Sequence, residues 1–266
     1  MSDEPLRLGG MALRNGLLVH GPTQWAAAVR RKDGTIAAAS GRKPRVRGPV
    51  GSVPGARGVI RLGEAMVVIP LVKLALPEAQ LPWQDRRLFG LAVATTLTTA
   101  LLRRRLRGTG AELGLAGLSL LPSFAALRSG DLAAYHGVEH KAIAAYEHGD
   151  ADARDAAKEH DRCGSHLMAP MLASSLAGTA LLKATVEKPG PLAGGLVSLA
   201  SVGLAVEVFA WSERHDETLG ARILRRPGYE LQRVIGTREP TETQLDVGRE
   251  ALAEILRAEG VAPQKD

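Results

Sequence analysis

Four blocks without a single Lys or Arg, Leu88 to Leu102, Leu113 to Leu127, Leu167 to Leu182 and Pro191 to Trp211, limit what this chain can fold into. They are built mainly from Ala, Leu and Val. Runs of that kind must be hidden from water, either inside a helical bundle or in the hydrocarbon of a membrane. The first three are only about 15 residues long, which at roughly 1.5 Å of rise per residue falls short of a hydrocarbon layer about 30 Å thick. Arg86, Arg87 and the run Arg103 to Arg105 can lengthen the first by snorkelling. The pattern predicts a mainly α, helical membrane protein with about four short apolar helices. A soluble bundle of unusually apolar helices is the other reading of the same blocks.

Composition narrows the rest. Of 266 residues 45% are hydrophobic, enough to bury a real core, and the single cysteine, Cys163, excludes an intrachain disulfide framework. The net charge of +6 suits anionic lipid or the flanks of membrane segments. No zinc-finger or aromatic RNA-binding signature accompanies it, so no nucleic-acid partner is expected. The opening MSDEPLRLGG lacks the basic start and apolar run of a secretory signal, so insertion would rely on internal segments.

Outside the blocks, Asp33-Gly34 sits between two partly apolar runs in residues 25–39 and predicts a small β-hairpin. Ser40 to Gly58 reads as a basic irregular segment, and 59–76 as an amphipathic, interfacial helix interrupted at Pro70. Thr241 and Gln244 form a capping box, followed by Leu245, Leu252, Ile255 and Leu256 on one face of a soluble helix. Three segments follow from this: a basic N-terminal part at 1–58, a helical membrane region at 59–211 with a polar loop at 129–166, and a soluble helical part at 212–266. Basic residues before the first block and after the fourth place both ends and the 129–166 loop in the cytoplasm, although the Arg103 to Arg107 loop argues against that arrangement.

The chemistry gathers in that loop. Five of the seven histidines, His136, His140, His148, His160 and His166, fall within 31 residues together with Glu139, Glu147, Glu159 and Cys163. On a helix the i, i+3, i+4 spacing brings His136, Glu139 and His140 to one face. Two imidazoles one turn apart can hold a divalent ion such as Zn²⁺, and a carboxylate between them can act as a general base. The HxxEH order is that of the inverted zincin metallopeptidases. His160 and Cys163, three apart, would complete a tetrahedral site. The alternatives are a solvated polar helix with Cys163 as a small hydrophobe, and a nucleophilic Cys163 for which no orienting residue can be assigned. His148 and His166 read as bystanders. Glu207, the one acid in the fourth block, is a candidate extra ligand or proton carrier, or else packs toward the interface beside Glu213 and Arg214.

Several segments resemble the YqhQ-like family of bacterial multi-pass membrane proteins: Gly9-Gly10, Trp25 to Arg30, Arg57-Gly58-Val59, Tyr135 to Lys141 with Tyr146-Glu147, and Arg162-Cys163-Gly164. Pro227-Gly228, Leu231-Gln232, Thr237 to Pro240 and Gln244-Leu245 match toward the end. The resemblance implies a metal-dependent enzyme of the bacterial inner membrane, with polar segments around the His-containing loop. Asn15, Asp161 and Ser165 stand where the family typically has Glu, Pro and Thr, and a family acid near the N-terminus could belong to the site.

The leading expectation is therefore a metal-dependent membrane hydrolase: His136, His140, His160 and Cys163 hold the ion and Glu139 is catalytic. A non-enzymatic membrane factor with a structural metal staple, binding a protein or lipid partner, is the alternative. A transporter using Glu207 is a third.

Overall fold

The computed structural model describes residues 5–261 apart from 47, 49–52, 107, 150–151 and 188. The strands are β1 (Gly9–Leu13), β2 (Gly16–His20), β3 (Gln24–Arg30) and β4 (Ile36–Arg42). The helices are α1 (Ala56–Ala75), α2 (Arg86–Arg105), α3 (Thr109–Leu127), α4 (Gly130–His148), α5 (Met168–Thr185), α6 (Pro191–Arg214), α7 (Leu219–Leu231) and α8 (Glu242–Glu259). The chain is mainly helical, with one small antiparallel sheet near its start. By its contacts it divides into two units, neither of them consecutive. One comprises the chain up to Arg42, Pro70–Glu159 and the stretch from Val234 on; the other comprises Lys43–Ile69 and His160–Arg233.

In the first unit the strands form a meander in the order β1-β2-β3-β4. The expected hairpin is β3–β4, paired Ala27 to Ala39. Its turn is fixed by Asp33, whose carboxylate accepts from the Thr35 backbone N–H at 3.0 Å and hydroxyl at 2.7 Å. Gly34 takes φ +88° there, a left-handed conformation that glycine adopts without a steric penalty. The β1–β2 hairpin was not expected. Asn15 at its turn donates to the carbonyls of Arg30 at 2.9 Å and Glu78 at 3.2 Å, and accepts from the Gln80 N–H at 2.8 Å. Its amide is a structural staple, a use for which a carboxylate has no donors.

One face of the sheet is closed by α4 and α8. Leu17, Val19, Ala26 and Ala28 from the strands meet Leu132, Tyr135 and Val138 from α4 and Leu245, Val247, Ala251 and Ile255 from α8. The capping box starts α8 as expected, with the Gln244 side chain accepting from the Thr241 N–H at 3.0 Å. The far end of α8 returns to the sheet, where Glu259 accepts from the backbone N–H groups of Thr23 and Gln24 at 2.6 and 2.7 Å. The α2–α3 hairpin belongs to the same unit.

Two expectations change. Pro70 does not interrupt the helix at 59–76, because α1 runs through it and gives up a single backbone donor. And among the described residues two segments, Gly164–Thr185 and Leu192–Arg214, are long and apolar enough to cross a membrane, rather than about four. α2 falls short because threonines 95, 96, 98 and 99 occupy its middle and arginines its ends, and the apolar stretch of α3 reaches only from Gly114 to Leu127.

In the second unit α5 and α6 pack as an antiparallel pair through small residues. Ser174 Oγ reaches the Ser201 carbonyl at 3.3 Å, and a Cβ on Gly178 would fall 2.8 Å from Val197 Cγ1. Close approach at Gly and Ser is how helices associate where lipid removes the hydrophobic drive between them. No residue of α5 is buried, and only 17% of the apolar window of α6 is.

Candidate metal centre

α4 carries the HxxEH element through the middle of the first unit, buried from Leu132 to Ala145 except at His136, which is half-buried. Its polar side chains are tied to backbone carbonyls on either side. His136 Nδ1 meets the Gly236 carbonyl at 2.7 Å and His140 Nδ1 meets that of Lys158 at 2.6 Å. A carbonyl only accepts, so each neutral ring carries its proton on Nδ1 and its lone pair on Nε2. The rings lie 4.3 Å apart between centroids. Lys141 adds to the frame: its ammonium donates to the carbonyls of Arg154 at 2.9 Å and Ala156 at 2.7 Å and pairs with Glu239 at 2.7 Å. The carbonyls of 154, 156 and 158 are thus held by two successive α4 side chains, which fixes the ring of His140.

Glu139 is 7% exposed, a carboxylate taken almost entirely out of water. β1 makes room for it: a Cβ on Gly10 would lie 2.7 Å from Glu139 Cγ and 2.8 Å from its Cδ and Oε1. The sequence Gly9-Gly10 has its physical reason in that close approach.

In the second unit Cys163 stands on a turn from His160 to Leu167 that leads into α5. Its sulfur accepts from the Ser165 N–H at 3.5 Å, and burial pushes the thiol pKa up. His160 Nδ1 accepts from the Arg162 N–H at 3.1 Å, and burial lowers its pKa.

Gln232, fully buried, organises this turn. Its amide oxygen accepts from the His160 N–H at 2.8 Å, and its NH₂ reaches the His160 carbonyl at 3.2 Å and Ser165 Oγ at 2.8 Å. His166, read as a bystander, is 2% exposed: Nδ1 meets the Arg225 carbonyl at 2.9 Å, Nε2 meets the Gln232 amide at 3.2 Å, and its ring stacks on Phe209. Gly228 lies against it, where a Cβ would come 2.5 Å from His166 Nδ1. Gln232 and His166 carry no charge pattern or metal spacing; the one sequence signal was that Leu231-Gln232 and Pro227-Gly228 stand among the matching segments. Glu207 is engaged elsewhere, held by the Arg57 guanidinium, with Nε at 2.7 Å, and by the Gly55 N–H at 2.9 Å. An ion pair of that kind explains an acid in an apolar helix without a ligand or proton-carrying role.

Of the expected ligands, His136 and His140 stand one turn apart on α4 in the first unit, and His160 and Cys163 on the turn of the second. The imidazole pair fits a borderline divalent ion, for which histidine nitrogen is a usual ligand.

Comparison with known proteins agrees in part. Residues 130–258, from the start of α4 almost to the end of α8, match the model of a family described as a protein of unknown function (DUF1385). The chain is 30% identical over 137 residues to the uncharacterized protein YqhQ of Bacillus subtilis (strain 168), a stretch covering 49% of this chain and 42% of that protein. The chain thus spans less than half the length of this relative. Both results support the resemblance to the YqhQ-like family. No solved structure gives a significant match.

Proposed function

We propose that this chain is a metal-dependent membrane enzyme of hydrolytic type, with the ion held by the histidine pair His136 and His140 of α4. The observation that carries this reading is the locked pair of imidazoles on α4, each with Nδ1 bonded to a backbone carbonyl, which puts the coordinating lone pair on Nε2. Such outer partners fix tautomer and ring orientation in metal sites. A bound divalent ion would supply Lewis acidity at this point.

The chain's own groups do the rest. Glu139, between the two histidines in sequence and shielded from water, takes the proton from the attacking water at its carboxylate. Lys141 and the 154–158 carbonyls keep His140 from turning.

α5 and α6 anchor this chemistry in a bacterial inner membrane. Their lengths, 22 and 23 residues over the apolar segments, correspond to roughly 33 Å of helix, enough for the hydrocarbon layer. Arg162 precedes α5, while Arg214, Arg222, Arg225 and Arg226 end or follow α6. By the positive-inside rule the Cys163 turn then faces the cytoplasm.

Metal content is the test. Detergent-purified wild type should contain close to one divalent ion per chain by elemental mass spectrometry, and a His136→Ala, His140→Ala variant should lose it. Glu139→Gln should keep the ion yet lose any hydrolysis that wild type shows on ester, amide or phosphoester model compounds. No metal in wild type prepared without chelators would end the proposal. Metal without any Glu139-dependent turnover would move it to a structural site.

A further inference from the structure

α7 has two unlike faces. Ala221 and Gly228 are buried, Gly228 against His166 within the second unit. The opposite face shows Leu219 at 72% and Ile223 at 61% exposure, flanked by Arg222, Arg226 and Tyr229. Large apolar side chains fully in water on one short helix are costly, at about 1.5–3 kcal/mol each relative to burial. Arg222, Arg225 and Arg226 give the helix a basic character, and its one acid, Glu230, is paired with Arg226 at 3.4 Å and Arg233 at 2.8 Å. The acids Glu213, Asp216 and Glu217 precede the helix, at the end where its dipole favours them.

Position supplies the occupant. α7 begins five residues after α6 ends, and α6 is one of the two segments of membrane length. Trp211, in the last turn of α6, stacks on His215, the kind of aromatic residue found at the level of lipid headgroups. A helix tethered that close to the end of a span lies at the bilayer surface. Strongly amphipathic, basic helices of this kind settle in the headgroup layer with their apolar face among the upper acyl carbons.

From this placement we infer that α7 is an interfacial helix: Leu219 and Ile223 insert into the acyl boundary, and Arg222 and Arg226 bind lipid phosphate oxygens. It rests on the membrane reading of α5 and α6, and it adds a lipid-headgroup site on a segment not otherwise assigned a ligand. Because α7 also backs His166, lipid on its outer face would steady the turn that carries Cys163.

The test uses the full chain, one copy per nanodisc, in phosphatidylcholine alone or mixed with phosphatidylglycerol, with lipids brominated on the acyl chains. Bromine quenches nearby tryptophan. The share of parent quenching that disappears in Trp211→Phe reports whether the end of α6 is in lipid. Ile223→Trp reports α7, and circular dichroism checks that each variant is folded. The expected result is strong added quenching at position 223, greatest for bromine near the headgroup. In the mixed lipid, Arg222→Gln and Arg226→Gln should each lower the docked-to-undocked ratio about fivefold. Quenching that depends on Trp211 without any at 223 overturns the inference and leaves the membrane reading standing. Absence of both overturns both. Quenching at 223 that ignores the arginine changes removes the phosphate contacts, and burial of the indole introduced by Ile223→Trp only in discs holding two copies assigns the face to a second chain instead.

Discussion

The sheet-and-helix core of the first unit and the α5–α6 pair of the second use the same small set of apolar residues to opposite ends. In the core, Leu17, Leu18, Val29 and Ile255 have no exposure at all. On α6, Leu196 and Leu199 are 58% and 53% exposed, and nothing on α5 is buried. Water drives the first arrangement and would penalise the second. What the pair buries, it buries through Gly and Ser, and its large side chains point outward. The sheet-and-helix core thus hides its apolar side chains, and the α5–α6 pair shows them.

Single changes can break or sharpen this contrast. The largest effect belongs to Ile255→Ala, which leaves a cavity under the sheet and should cost about 2–5 kcal/mol. Chemical unfolding of the first unit, followed by the fluorescence of buried Trp25, would read it, and Leu196→Ala should change stability in detergent by less than about 0.5 kcal/mol. Equal losses at the two positions would mean that α6 is packed like a core helix. Next comes Leu204→Arg, at the middle of the apolar segment of α6, for which membrane insertion predicts a penalty of about 3 kcal/mol. Membrane fractionation should find less of the variant in the bilayer, and unchanged partition would place that face away from lipid.

The smallest effect is a matter of pH. Glu242, at the start of α8, is held by Arg154 and Arg249, which pull its pKa from the usual 4.5 down to about 2. A depressed carboxylate stabilises the fold above its unfolded pKa, and that contribution is lost as pH falls from about 4.5 toward 2. Glu242→Gln should flatten the acid-unfolding curve of the first unit within that window and leave α5–α6 helicity untouched. Because the residue is exposed, the shift will be slight.

Much of this was legible where local chemistry decides structure. The Asp33-Gly34 turn and the Thr241/Gln244 capping box announce β3–β4 and α8, and the i, i+3, i+4 spacing announces the HxxEH face of α4. β1–β2 was missed although Asn15-Gly16, a strong turn signal, stands in it. Asn15 drew notice as the replacement of an acid, and its three backbone bonds depend on Gln80 and Glu78, which no local pattern reveals. The excess of expected spans has a similar cause, since counting Lys and Arg overlooks the threonines that fill α2. Gln232 and His166 were opaque because a buried amide network has no periodicity.

α8 closes the sheet from the far end of the chain: Thr23 and its partner Glu259 are 236 residues apart. At ribosomal rates of roughly 5–20 residues per second, the meander waits about ten to fifty seconds for the helix that covers it. During that time the apolar strip Trp25 to Val29 stands open, while α5 and α6 have already emerged. Synthesis thus completes the α5–α6 pair before the sheet can close, and α8 acts as its latch.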